Sequence, residues 1–524
     1  MSQPSVSQSL LSSYEQLPYE SGPQYPTHPD CMATVGSLMG MHPAAVDQCR
    51  MLELGCGDGG NLIPMAVALP GSRFVGIDLS PTQIQTGMKT ISALGLANIE
   101  LRAADLLDVG EELGKFDYIA CHGVFSWVPP EVRAKILAIC QRNLEPQGVA
   151  YISYNTYPGW HFRGIVKDIL HFHTREIEGP HEKLAEARGL LNFLAQSLPS
   201  EGNPYASVLR NEAESFQREA EYYLYHEFLE EVNYPLYFYQ FMEQATDNGL
   251  QYVGEAWFHT RLDNLPRKVR ETIENISPSL IHKEQYLDFL RARTFRRTLL
   301  CHRSVALTRR PDVDRLLGMS VSAHVWPLEL PVDAATSATV EFQTPQGEKI
   351  STNHPAIKTM FAMLFDARPQ AIPAQELLSG ICSRIEEANA DRSATPDAES
   401  FANLLASCHI SNTVVLHTCP PRFAIQVSQR PAASPLARLM AREGKAVVNL
   451  RHQNCELTEF ERAVLAKLDG SRDRRQLLSE LGEMIDEQAL NIRCSENDEA
   501  AELPLDQQLE AALWRIAHGA LLVS

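Results

Sequence analysis

The 524-residue sequence lacks several things, and each lack narrows what it can be. Its eleven cysteines include no C-x-x-C pair. That scatter fits free thiols in a reducing cytoplasm better than a disulfide framework or a zinc site, so no metal is expected. No stretch of about 18 apolar residues occurs, so no membrane span is expected. The opening MSQPSVSQSLLSSYEQ has neither a basic n-region nor an apolar h-region and does not read as a secretory signal. Positive charge is in short supply: 46 Lys and Arg stand against 65 Asp and Glu, a net charge of −19. Such a balance argues against coating nucleic acid by phosphate neutralisation. There is no internal repeat.

What is present divides the chain into four parts. Residues 1–45 are polar and punctuated by Pro and Gly, with aromatic and His residues interleaved, and read as a partly ordered cap segment. Residues 46–160 alternate short apolar runs with helical stretches: CRMLELG, RFVGIDL, IELRAAD, FDYIACHG and GVAYISYN as strands, with helices from about Gly60 to Ala68, from Pro81 to about Leu94 and over EVRAKILAICQRNL. Strands alternating with helices of this length predict βαβ units in a Rossmann-like, doubly wound α/β fold, with its completion by later residues left open. Residues 161–325 read as a mainly helical middle domain, PLYFYQFMEQATDNGLQYV included, from apolar residues spaced three and four apart. Residues 326–524 read as an α+β, winged-helix-like region with a hairpin in ATVEFQTPQGEKIST, a loop or linker over 426–438 and a helix–turn–helix broken at Asp469-Gly470. The positive charges around that turn are interleaved with acids, so a packing module is favoured there over nucleic-acid binding.

The segment MLELGCGDGGN (51–61) spells G-x-G-x-x-G with Gly55, Gly57 and Gly60. A glycine turn after a strand brings backbone N–H groups up to a ligand, which serves a dinucleotide and S-adenosylmethionine (AdoMet) equally. The acids discriminate. Glu53 ends the first strand and Asp58 lies in the loop, where a carboxylate would repel a pyrophosphate by several kcal/mol unless screened. AdoMet brings an ammonium and a sulfonium instead, which acids welcome. Asp78, after the second strand, suits two ribose hydroxyls under either reading. Asp105, after the third, suits an adenine amine. Acids in the loop and after strands two and three together resemble class I AdoMet-dependent methyltransferases, with S-adenosylhomocysteine as the product. As bland alternatives, Cys56 is a small apolar filler, and Asp58 and Asp78 serve as helix caps.

After the fourth strand the chain reads CHGVFSWVP without the (Asp/Asn)-Pro-Pro-aromatic motif of amino-methylating enzymes of nucleic-acid bases. His122 there is a candidate base, orienter or wall. After the fifth strand, Tyr154, Asn155, Tyr157 and Trp160 offer an aromatic, hydrogen-bonding pocket suited to a lysine side chain, since rings hold a cation and desolvation lowers an amine pKa. The alternative is that this stretch packs the next domain.

LPYESGPQYPTHPD, LELGCGDGGN, HGVFSWVP, SYNTYPGW, HEFLEEVNYPLYFYQFMEQATDNGLQYVGEA and NLRHQNCELTEFERAVLAKLDG jointly resemble bacterial proteins with a class I methyltransferase domain and a methyltransferase regulatory domain, the best known being rickettsial protein-lysine methyltransferases of outer-membrane proteins. The resemblance implies AdoMet as donor and a protein ε-amino group as acceptor. It implies a cofactor loop of Glu53, Gly55, Cys56, Gly57, Asp58 and Asn61, with Asp78 and Leu79 at the ribose and Asp105 with Leu106 at the adenine. His122, Gly123, Val124 and Phe125 would flank the methionyl part, and Tyr19, Pro23 and His28 would cap the pocket. Two other functions stay open: methylation of a small molecule, and a non-catalytic AdoMet-binding regulator. The large helical extension is also compatible with a homodimer.

Overall fold

The computed structural model describes residues 17, 19–199, 202–256, 265–309, 312–332, 336, 338–345, 347–387, 395–487, 490 and 503–524. Seven strands form the central sheet: β1 (Arg50–Leu54), β2 (Arg73–Asp78), β3 (Ile99–Ala103), β4 (Phe116–Cys121), β5 (Leu144–Asn155), β6 (Leu250–Glu255) and β7 (Phe295–His302). Their order is β3-β2-β1-β4-β5-β7-β6, with the first five parallel. Strand β7 runs antiparallel to both β5 and β6.

Alternate residues of the central strands feed two buried layers, as expected for strands covered on both faces. Met51, Tyr118, Ala120 and Tyr151 pack with Met32, Leu62 and Met65 on one face, while Leu52, Ile119, Ile152 and Tyr154 pack with Ile136, Phe238 and Phe241 on the other. Helix Pro81–Leu94 has the predicted bounds, fixed by Ser80, whose Oγ accepts from the Gln83 N–H, and by Gly95 at φ +64°.

Three expectations need correction. The region read as helical also holds strands: β6 and β7 come from it and complete the sheet, and Leu250–Glu255 is a strand because LQYVGE is buried on both faces. The cap segment contains a buried helix, Pro29–Leu38, started by His28, whose Nδ1 accepts from the Asp30 N–H. Its Met32 and Val35 pack on the sheet, and Leu38 packs in the core of the third region. The stretch 426–438 is no simple linker, since helix Pro435–Arg442 begins within it and buries Leu436 and Ala437.

Helices Gly159–Thr174, Pro180–Ser197, Pro204–Arg218 and Glu221–Phe228 enclose a core of their own, including Leu170, Leu191, Leu209 and Phe216. At the C-terminal end, helices Glu459–Lys467, Arg474–Asp486 and Leu505–His518 pack with the hairpin Val447–Val448 and Asn454–Cys455. Two capping boxes, Thr458 with Glu461 and Asp473 with Gln476, begin the first two of these helices. Among the described residues, no helix is long and apolar enough to cross a membrane.

Candidate active site

A cavity of about 580 Å³ opens at the carboxyl ends of β1, β2, β4 and β5. This is where parallel sheets present ligands, because loops diverge there and helix N-termini point inward. It has two ends of different chemistry.

The first end is built from the glycine loop and the acids after the strands. Gly55 has φ +76°, and a Cβ there would lie 2.3 Å from Val124 Cγ2. Gly60 is crowded by the N-terminal segment, since a Cβ would lie 2.4 Å from the Ser21 carbonyl oxygen. Only glycine admits both approaches. Asp78 accepts from the Gly57 N–H at 2.8 Å and the Ser80 N–H at 2.9 Å, so it organises the loop as well as lining the cavity. Burial raises its pKa, with a further push from Asp58. Asp105 lines the same end and accepts from the Leu107 N–H at 2.9 Å.

Glu53 is buried. Its Oε1 accepts from Asn61 Nδ2 at 2.8 Å, while its Oε2 has no hydrogen-bond partner among the described residues. Burial pushes its pKa up to about 8, partly offset by the Asn61 bond. An orphaned, desolvated carboxylate oxygen at a cavity wall fits a cationic group such as an amino-acid ammonium. The residues present therefore fit AdoMet.

The second end is aromatic. Trp127 and Trp160 pack edge to face at 6.4 Å, and the buried Trp160 Nε1 has no partner among the described residues. Tyr223 and Glu227 complete the wall with Arg163, whose Nη1 donates to Glu227 Oε1 at 2.6 Å. Burial raises the Glu227 pKa against the pull of Arg163. Phe295 and Arg297 enter from β7. Glu255 accepts from the backbone N–H of Arg297 at 2.9 Å, fixing this part of β7, and also pairs with the fully buried Arg296 at 2.7 Å.

Between the ends lies His122. Its Nδ1 is 2.8 Å from the Tyr151 hydroxyl, and burial, helped by Arg297, lowers its pKa to about 3.

Of the residues singled out in the sequence, Tyr19, Glu53, Gly55, Cys56, Gly57, Asn61, Asp78, Leu79, Asp105, Leu106, His122, Gly123, Val124, Asn155 and Trp160 line this cavity. Five do not. Tyr154 points into the opposite core layer, stacked on Phe241 at 4.1 Å with its hydroxyl 3.1 Å from Thr298 Oγ1, because strand alternation turns it away from Asn155. Phe125 is fully buried against Phe241. Tyr157 stacks on His161 outside the cavity. His28 is a helix cap packed against His452. Asp58 is bound by the Ser21 hydroxyl and the Gly60 N–H, holding the N-terminal segment over the loop.

Sequence reading missed Trp127, Arg163, Tyr223, Glu227, Phe295 and Arg297. Trp127 lay inside the quoted HGVFSWVP and Tyr223 and Glu227 inside the aromatic helix; Arg297 carried no local signal.

Comparison with known proteins agrees with this geometry. A methyltransferase domain model matches residues 51–148, a predicted methyltransferase regulatory domain matches 220–302, and the PKMT C-terminal winged helix domain matches 429–521. An uncharacterized protein of Rickettsia prowazekii (strain Madrid E) is 32% identical over 522 residues, covering 97% of this chain and 93% of that protein. A second from the same organism is 42% identical over 233 residues, 44% of this chain and 93% of its own length. The structure of PKMT2 from Rickettsia typhi in complex with AdoHcy superposes with a TM-score of 0.85 at 29% identity, covering 97% of this chain and all of that one. The chain is thus an AdoMet-dependent methyltransferase, a member of the family that joins a class I methyltransferase domain to a methyltransferase regulatory domain and a PKMT-type winged helix.

Proposed function

We propose that this methyltransferase transfers methyl groups from AdoMet to lysine ε-amino groups of a protein substrate. The observation that carries the reading is the aromatic end of the cavity, continuous with the acid-lined cofactor end and walled by Trp127, Trp160, Tyr223 and Glu227. Rings hold an approaching ammonium by cation–π attraction, and desolvation between them favours its neutral form. The similarity to PKMT2 over nearly the whole chain supports a protein as acceptor.

Bound AdoMet supplies an activated methyl on a sulfonium, so the protein's task is to orient a neutral amine and exclude water. Glu53 would hold the ammonium of the cofactor, Asp78 its ribose and Asp105 its adenine. His122, with a pKa near 3, is too weak a base to take a proton from a lysine ammonium, which supports a wall and hydrogen-bonding role. Glu227, with its raised pKa, is the better proton acceptor at the aromatic end.

The test is incubation of the purified protein with radiolabelled AdoMet and lysate of the cell that produces it, followed by mass mapping of labelled proteins. Label on lysines of one or a few proteins is expected. Label confined to the small-molecule fraction would overturn the protein acceptor, and AdoMet binding without label would point to a regulator.

A further inference from the structure

The winged-helix region reaches the hydrogen bonds of the cofactor end through His452, and the local geometry is costly enough to need a reason. Asn61 stands at the N-cap of helix Leu62–Ala68, where an asparagine side chain ordinarily accepts from the first turn. Here it makes no capping bond. Its Oδ1 instead accepts from the Gln24 N–H and from His452 Nε2, each at 2.8 Å. Its Nδ2 donates to Thr27 Oγ1 at 2.9 Å and to Glu53 Oε1 at 2.8 Å.

Because a backbone N–H can only donate, the Gln24 bond fixes the amide orientation. His452 must then be the donor, as the Nε2–H tautomer. Burial holds its imidazole neutral. His452 itself has φ +58°, a left-handed conformation that a residue with a Cβ adopts only at a steric cost. The turn that enforces it is built by Asn449, whose Oδ1 accepts from the Arg451 and Gln453 N–H groups at 3.0 Å and whose Nδ2 donates to the Gly519 carbonyl. A foregone cap on one side and a strained turn on the other meet at a single hydrogen bond, which lies one bond from the carboxylate with the orphaned oxygen.

We propose that His452 is a positioning residue of the cofactor site: through Asn61 it fixes the aim of Glu53, so AdoMet affinity depends on how the winged-helix domain is seated. Without His452, Asn61 Oδ1 keeps only Gln24, the amide is freer to turn, and Glu53 Oε1 loses a fixed donor. Any partner that shifts the domain would weaken cofactor binding without touching the cavity. The inference rests on the cofactor assignment and is independent of what accepts the methyl.

Calorimetry with S-adenosylhomocysteine on the full chain tests it. His452→Ala is expected to weaken binding about tenfold, the worth of one buried hydrogen bond. His452→Gln, whose amide can reach the Nε2 position, should return to within about threefold of wild type, whereas the shorter His452→Asn should resemble His452→Ala. In a Glu53→Gln background, His452→Ala should add less than about twofold, because the group it aims is already altered. Wild-type affinity in a folded His452→Ala protein would overturn the proposal. So would failure of the glutamine to rescue, or full multiplication of the two losses in the double variant. If His452→Ala does not fold, the Gln-against-Asn difference decides.

Discussion

The two ends of the cavity are made differently. The cofactor end comes from one continuous stretch: Glu53, Gly55, Gly57, Asp78 and Asp105 lie within about fifty residues, each at or just after the carboxyl end of a strand of the same sheet. The aromatic end is assembled from Trp127, Trp160, Tyr223, Glu227 and Arg297, spread over 170 positions and four structural elements. The first uses backbone geometry and fixed charge, which a local motif can encode. The second uses side chains brought together by packing, whose identity can drift provided a ring or an acid reaches the same space. Cofactor binding should therefore fail through single residues of the first end, and acceptor turnover through residues of the second.

The sharpest break in that contrast is Asp78→Ala. It removes a carboxylate that lines the cavity and also holds the Gly57 and Ser80 N–H groups. Charge-assisted hydrogen bonds contribute about 1.5–3 kcal/mol each, so S-adenosylhomocysteine affinity should fall by roughly 100-fold or more by calorimetry. Unchanged affinity would remove the ribose assignment.

Next in size is a pH effect from Glu53. Its pKa in the cofactor-free protein is raised to about 8, so at neutral pH the acid is mostly protonated and must ionise to meet a cation. AdoMet affinity should rise as pH climbs toward 8, by up to about tenfold per unit, with proton release measurable by calorimetry in buffers of different ionisation enthalpy. The sign for stability is opposite. A carboxyl whose folded pKa lies above its unfolded value contributes stability that is full below about 4.5 and lost as pH rises through 8. The Tm difference between Glu53→Gln and wild type, both without cofactor, should therefore grow in favour of the variant from pH 5 to pH 8.

A smaller effect separates the two ends. Trp160→Phe keeps a ring but loses the indole face beside Trp127, and should lower kcat/KM for the acceptor by about tenfold or less while S-adenosylhomocysteine affinity stays within about threefold. Parallel loss of both would make the aromatic end part of the cofactor wall. The smallest expected change is Tyr154→Phe. Among the described residues its hydroxyl bonds only to Thr298, in the far core layer, so methyl transfer should be unaltered, with a stability loss of about 1 kcal/mol by denaturant unfolding. A large drop in turnover would restore Tyr154 to the site.

These contrasts also mark where sequence reading stops. Adjacent residues of one strand were both proposed for catalysis, yet Asn155 lines the cavity and Tyr154 does not. The composition of SYNTYPGW gave both equal weight; the pleat of β5 separated them. Phe125, Tyr157 and His28 show the same limit. An aromatic or a histidine at a strand end or a helix start has the right chemistry for a site and for packing alike, and only its neighbours decide.

By itself the sequence determined the alternating strand–helix rhythm, the glycine turn and the acids that make that turn fit AdoMet rather than a dinucleotide. Those are short-range consequences of strand period, backbone freedom and charge. Only the tertiary structure decided that β6 and β7 complete the sheet, that Arg297 and Glu227 reach the cavity, and that His452 touches Asn61 across 391 positions. Such contacts are set by burial of apolar faces between distant segments, and no local pattern of residues records which faces will meet.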